Sequence, residues 1–208
     1  SKGIFITAGS REEAYYSSVR HLPSWVTRLD KVTAVNQLSR EIEEKGYSVE
    51  EVRRRLEKIE QLPGRPKAAQ ILVAGAACAC FCFLFGGSVK DIIADFFTGL
   101  AVYAFVLMVC GHFSKITGNV LSGALIVLCC LFFYHCGIGE HLRPLVMGTI
   151  LLLVPGLPFT NGIRDLADGD YISGAVRLLD AVLVFMSVGA GAGAVFLVYH
   201  HLLGGVLL

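Results

Sequence analysis

From Val154 to Asp180 the sequence reads VPGLPFTNGIRDLADGDYISGAVRLLD, and its residue types are those that recognise and move a charged solute. Arg164 and Arg177 offer paired donors that fit a carboxylate, and Asp165, Asp170 and Asp180 are groups able to carry a coupling proton. Pro155 and Pro158 each lack an N–H, so the carbonyls of Leu151 and Val154 lose their helical partners, and Gly156 loosens the same turn. An apolar helix must stop or bend there. A helix that restarts after Thr160 carries Asn161, Arg164, Asp165 and Asp168 on one face, and the next helix repeats the arrangement with Ser173, Arg177 and Asp180. Backbone N–H groups at a restart near Asn161 would help an arginine hold a carboxylate. Polar faces beside long apolar runs suggest a pathway lined by protein and water, as in the broken helices of transporters. The plainer alternative is a loop followed by a helix in which Arg177 and Asp180 neutralise each other.

Composition says what kind of chain must position these groups. Of 208 residues, 54% are apolar and 17% charged, and most of the charges precede Lys67, so a soluble part is joined to an embedded one. A net charge of +1 gives no footprint for nucleic acid. No signal-peptide pattern opens the chain, and Ser1 in place of an initiator Met suggests trimming. All seven cysteines lie in the apolar part. Cys78, Cys80 and Cys82 are spaced by two, which turns successive side chains about 200° apart on a helix, so they read as small buried hydrophobes and not as metal ligands. His135 and Cys136 read as packing or interface residues, and the adjacent His200 and His201 as interfacial anchors. No glycine-rich phosphate loop is present and no cofactor is implied.

Taken in order, Gly3 to Gly9 and Ala14 to Leu22 are β-favouring runs that predict a hairpin. A helix from about Trp25 to Lys45 follows, then Ser48 with Glu51 as a capping box opening a second, so residues 1–66 predict a small α+β domain. Arg53, Arg54, Arg55 and Lys58 form a basic cluster that could touch anionic lipid heads, or a solvated face. Residues 67–208 predict five spans, at about 68–87, 91–111, 120–137, 142–158 and 171–200. The second carries Asp91 and Asp95 one turn apart; the deeper Asp95 is a further candidate for ion coupling, or a cap or partner within the bundle. Gly189, Gly191 and Gly193 in the fifth permit close helix contact and make an oligomer plausible. Arg65, Lys67, Lys115, Arg164 and Arg177 fall on one side, which predicts a cytoplasmic amino terminus.

FGGS (Phe85 to Ser88), Asp91, ADFFTG (Ala94 to Gly99), VPGLPFTNGIRDL (Val154 to Leu166), GDYISGAVRLLDA (Gly169 to Ala181) and, upstream, LDKVTAVNQLSREIE (Leu29 to Glu43) resemble the larger half of the threonine/serine exporter family. The resemblance covers nearly the whole chain. It implies a cytosolic domain before five helices of a bacterial-type inner membrane protein, no enzymatic activity, and a second, smaller membrane part, either fused behind or supplied as a separate subunit. A polar motif that precedes the first strand in the family is not among these residues, which implies a shortened soluble domain. Some split members are associated with dicarboxylates such as succinate, so the substrate stays open between threonine/serine and a dicarboxylate, with export driven by an ion gradient, protons first. Two rivals remain at this point: a scaffold subunit inactive without its partner, and an intramembrane aspartyl protease pairing Asp95 with a carboxylate from residues 165–180.

Overall fold

The computed structural model describes residues 3–8, 16–21, 28–109 and 112–203. The chain divides into two compact units, Ser1–Gly64 and Arg65–Leu208.

In the first unit, β1 (Gly3–Ala8) and β2 (Tyr16–His21) pair antiparallel, Gly3 opposite His21 and Ala8 opposite Tyr16. A two-stranded ribbon is marginal alone, so it does not by itself amount to the α+β domain expected. Gly9, Ala14, Tyr15, Leu22 and Trp25, which the sequence placed in these strands and the next helix, lie outside the described residues. The helices α1 (Leu29–Lys45) and α2 (Val49–Glu60) form a hairpin. Ser48 caps α2 by accepting from the Glu51 N–H at 3.4 Å, but the Glu51 carboxylate does not return to Ser48. It pairs with Arg54 and Arg55 instead, while Arg55 also reaches Glu41 at 2.8 Å and lies over the Tyr47 ring. Three of the four members of the basic cluster are thus committed to neighbouring glutamates, Arg53 to Glu57 among them, which favours the solvated-face alternative.

The second unit is a helical membrane bundle. Among the described residues four helices are long and apolar enough to cross a membrane: α3 (Lys67–Leu84), α4 (Val89–Val109), α5 (Lys115–His135) and α8 (Tyr171–Leu203). Between the last two, α6 (Leu142–Ile150) runs through a 3-10 turn (Leu151–Leu153), breaks, and restarts as α7 (Gly156–Ala167) after a 61° bend; counted as one span, this pair makes five. The third span begins earlier than its apolar run because Ser114 accepts from the Thr117 N–H at 3.2 Å and caps the helix. Small residues set the crossings. Gly99 of α4 lies on Cys78 of α3, Gly123 of α5 on the Val188 backbone, and Gly191 of α8 on the Val120 carbonyl. Gly191 therefore serves a contact within the chain, whereas Gly189 and Gly193 face open space. Ala94, Val102, Ile126, Cys130, Leu145 and Val146 form the core between α4, α5 and α6. Cys78, Cys82 and Cys130 are buried as expected of small hydrophobes, but Cys80 and Cys136 are exposed; Cys110 lies outside the described residues.

Candidate functional site

The break falls where the prolines put it and the restart does not. Val154 is extended, Pro155 follows, and α7 begins at Gly156, several residues before the position expected after Thr160. Pro158 fits because it stands in the first turn, where its missing N–H would have had no helical partner. Asn161 is consequently a second-turn residue and cannot supply the end-of-helix N–H groups expected of it. The two-proline pattern shows that a break exists; it does not show which proline ends the helix and which opens the next.

Asn161, Arg164 and Asp165 all ride on α7, with Asp168 as its C-terminal cap. Gly169, in the left-handed region at φ 86°, then turns the chain, and Asp170 caps α8 by accepting from the Ser173 N–H at 3.2 Å. Hydrogen bonds from Ser173, its side chain first and its N–H second, hold the Asp170 carboxyl below its usual range. The hairpin closes on small residues, Gly162 against Leu178 and Gly174 against Leu166. Across it Arg177 Nη1 lies 3.1 Å from Asp165 Oδ2, close enough for an ion pair but out of hydrogen-bond alignment. Arg164 and Asp168 face solvent 3.7 Å apart, and Asn161 is exposed. The anticipated Arg177–Asp180 pair is absent. Asp180 instead accepts from Lys115 of α5, 2.6 Å to each oxygen. A residue three positions away on the same helix lost to one on a packed neighbour, because α5 and α8 cross closely enough to bring Lys115 over Asp180.

A second polar group lies deep in the α3–α4–α6 corner. Asp91 and Asp95 are both 0% exposed. Asp91 is fully engaged: it accepts from the N–H groups of Ser88, Glu140 and His141 and contacts the His141 ring at 3.0 Å, while Ser88 Oγ accepts from the Asp91 N–H. The Ser-x-x-Asp spacing is a signal that could have given this reciprocal cap, which the sequence reading did not name; no local signal gives the return of residues 140 and 141 onto it. Beside it, Lys90 holds the Glu140 carboxyl below its usual range at 2.8 Å. Asp95 is different. Thr149 Oγ1, in the last turn of α6 before the break, donates to one carboxyl oxygen, and the other is buried with no partner among the described residues. It rests against Gly148, where a Cβ would collide with it. Sequence reasoning found Asp95 and missed Thr149 and Gly148; no spacing rule connects residues on different helices. Asp165, Asp168, Asp170 and Asp180 are each engaged elsewhere, so none completes a carboxylate pair with Asp95, and the protease alternative loses its geometry.

The sequence profile of the family ThrE, threonine/serine exporter, matches residues 1–199. The chain belongs to the threonine/serine exporter family. It is a membrane transporter by that membership, and no curated protein and no solved structure matches it. Among the described residues no cluster of His, Cys, Asp or Glu could hold a metal ion. A threonine/serine exporter has to bind a small polar solute and change which side of the membrane it faces. The bundle offers two features for this, a broken helix and a buried carboxyl bound to it through Thr149.

Proposed function

We propose that the chain exports a small polar amino acid of the threonine/serine kind, that protons drive it, and that Asp95 carries the coupling proton. The observation that supports this reading is the unpartnered oxygen of Asp95. An ionised carboxyl in that corner is an uncompensated buried charge, whereas a carboxylic acid donates and accepts locally at far lower cost. Loss or gain of the proton therefore changes what the corner tolerates, and Thr149 passes that change to the helix that breaks five residues later at Val154 and Pro155. Asp165 with Arg177, and the exposed Asn161, Arg164 and Asp170, are then access-side residues that a moving hairpin rearranges. Ser173 has the same place at the start of α8.

Orientation belongs to the same proposal. At about 50 Å, α8 exceeds a hydrocarbon core of ~30 Å, so one end projects. Placing Asp180 and Lys115 at the interface leaves the length from Asp180 to His201 to cross, and puts the charged α7–α8 turn in the cytoplasm with the amino-terminal unit, in keeping with the basic residues there. The projecting part still carries the exposed apolar residues Ile172, Val176 and Leu179, spaced by four and three. This favours a role as one subunit beside a smaller membrane partner, since apolar residues beyond the bilayer need cover.

Purified chain in liposomes, with and without the smaller subunit, tests the reading by counterflow of labelled L-threonine. The expected result is exchange that a proton gradient accelerates. Asp95→Asn should keep exchange and lose the acceleration. A variant that responds to the gradient as the native chain does removes Asp95 from coupling, and absence of exchange under both conditions removes the exporter reading.

A further inference from the structure

The sequence marked Asp180 as a candidate for ion coupling and Lys115 only for orientation, and it did not foresee that the two would meet. The ion pair is about half exposed, and Lys115 lines two cavities while Asp180 lines the second of them. One, of about 310 Å³, has Ser114, Asn119 and Ser122 on its wall; the other, of about 280 Å³, is bounded by α5 and α8 and includes Ser187. Lys115 and Asn119 line both. The Asn119 amide is half-buried and, among the described residues, makes no hydrogen bond. The pair is not needed to hold the helices together, because α5 and α8 already touch backbone to backbone at Gly123 with Val188 and at Gly191 with Val120.

We propose that Lys115 and Asp180 form the recognition site for the two charged groups of a zwitterionic solute, Lys115 taking the carboxylate and Asp180 the ammonium, with Asn119 on a neighbouring polar atom. This rests on the exporter reading and deepens it. With no solute the two side chains neutralise each other. A zwitterion that enters between them gives each side chain a new opposite charge for the one it gives up, so no unpaired charge is created on binding. A dicarboxylate fails the same exchange: one carboxylate satisfies Lys115 and leaves Asp180 facing a like charge. The site thus discriminates between the two substrate classes that the sequence left open. Each cavity is about the size of the smallest ligand pockets, roughly 300 Å³, which suits an amino acid. The flexible Lys115 stem, shared by both, allows the carboxylate to be held in either.

The test is competition against labelled L-threonine counterflow in liposomes containing the full chain, using three probes: L-threonine, 3-hydroxybutyrate, which lacks the ammonium, and L-threoninamide, which lacks the carboxylate. The native chain should prefer threonine to either analogue by at least about tenfold. Asp180→Asn should erase the preference over 3-hydroxybutyrate and keep that over threoninamide. Lys115→Gln should do the reverse. Each preference is a ratio within one preparation, so reduced yield of a variant does not blur it. Native preferences in both variants, or equal losses for all three probes, overturn the site and leave the exporter reading standing; no counterflow by the native chain either with or without the smaller subunit brings down both.

Discussion

The two polar regions of the bundle are built on opposite terms. In the α3–α4–α6 corner the carboxyls of Asp91 and Asp95 are sealed from solvent. On the α7–α8 hairpin the charges are many and most are half or fully exposed, Arg177 at 51%; Asp165 is the exception at 23%, its Oδ2 buried against the Arg177 guanidinium. Water screens the second set and cannot reach the first, so a change of one charge matters far more in the corner. The richest cluster of ionisable residues in the sequence is therefore not where a charge costs most. A coupling group belongs in the corner, and groups that meet a solute from water belong on the hairpin side.

The sharpest way to break that contrast is to remove one carboxylate from each region. Asp91→Ala strands the N–H groups of Ser88, Glu140 and His141 and should cost about 3 kcal/mol of unfolding free energy in detergent. Asp165→Ala removes one ion pair whose arginine is half exposed and should cost less than about 1 kcal/mol. Similar losses from the two would mean that the hairpin is as desolvated as the corner, and the distinction between them would fall.

Two glycines sharpen it further, at smaller cost. A Cβ at Gly148 would meet the Asp95 carboxyl and, at 2.9 and 3.1 Å, the backbone of Cys82 and Cys78, none of which can move far. Gly148→Ala should lower stability by about 2 kcal/mol. At Gly162 the nearest atoms belong to the Leu178 side chain, at 2.9 Å, which can change rotamer, so Gly162→Ala should cost well under half as much. Thermal unfolding of the two variants side by side reads the difference.

How far the sequence could see follows the same division. Helices and the proline break depend on neighbours within one or two turns, and the apolar runs coincide with four helices long enough to cross a membrane, or five if the bent pair is one span. The restart at Gly156 depended on which of two prolines opens a helix, a choice local rules leave open. Contacts between helices were beyond reach. Arg177 sits one turn from Asp180 in sequence, yet Asp180 is held by Lys115 and Arg177 by Asp165, because crossing geometry decides which charges meet. Asp95 was visible as an acidic residue in an apolar helix, but its rank depended on Thr149 and Gly148, two residues with nothing unusual about them until α6 lies on α4.

The smallest expected effect lies at the hairpin turn and depends on pH. Hydrogen bonds from Ser173 hold the folded Asp170 carboxyl below its unfolded value of 3.8, so the folded chain binds that proton less readily than the unfolded one. For a lowered pKa the stabilisation is complete above the unfolded value and disappears as pH falls through the folded one. Comparison of native chain with Asp170→Ala should therefore give a constant difference in unfolding midpoint at neutral pH, shrinking only once the pH drops below 3.8. A difference that begins to shrink near neutrality would require a raised pKa at Asp170, hence a desolvated turn. In that case the charges of the hairpin would share the character of the corner, and the reason for placing the coupling proton on Asp95 alone would weaken.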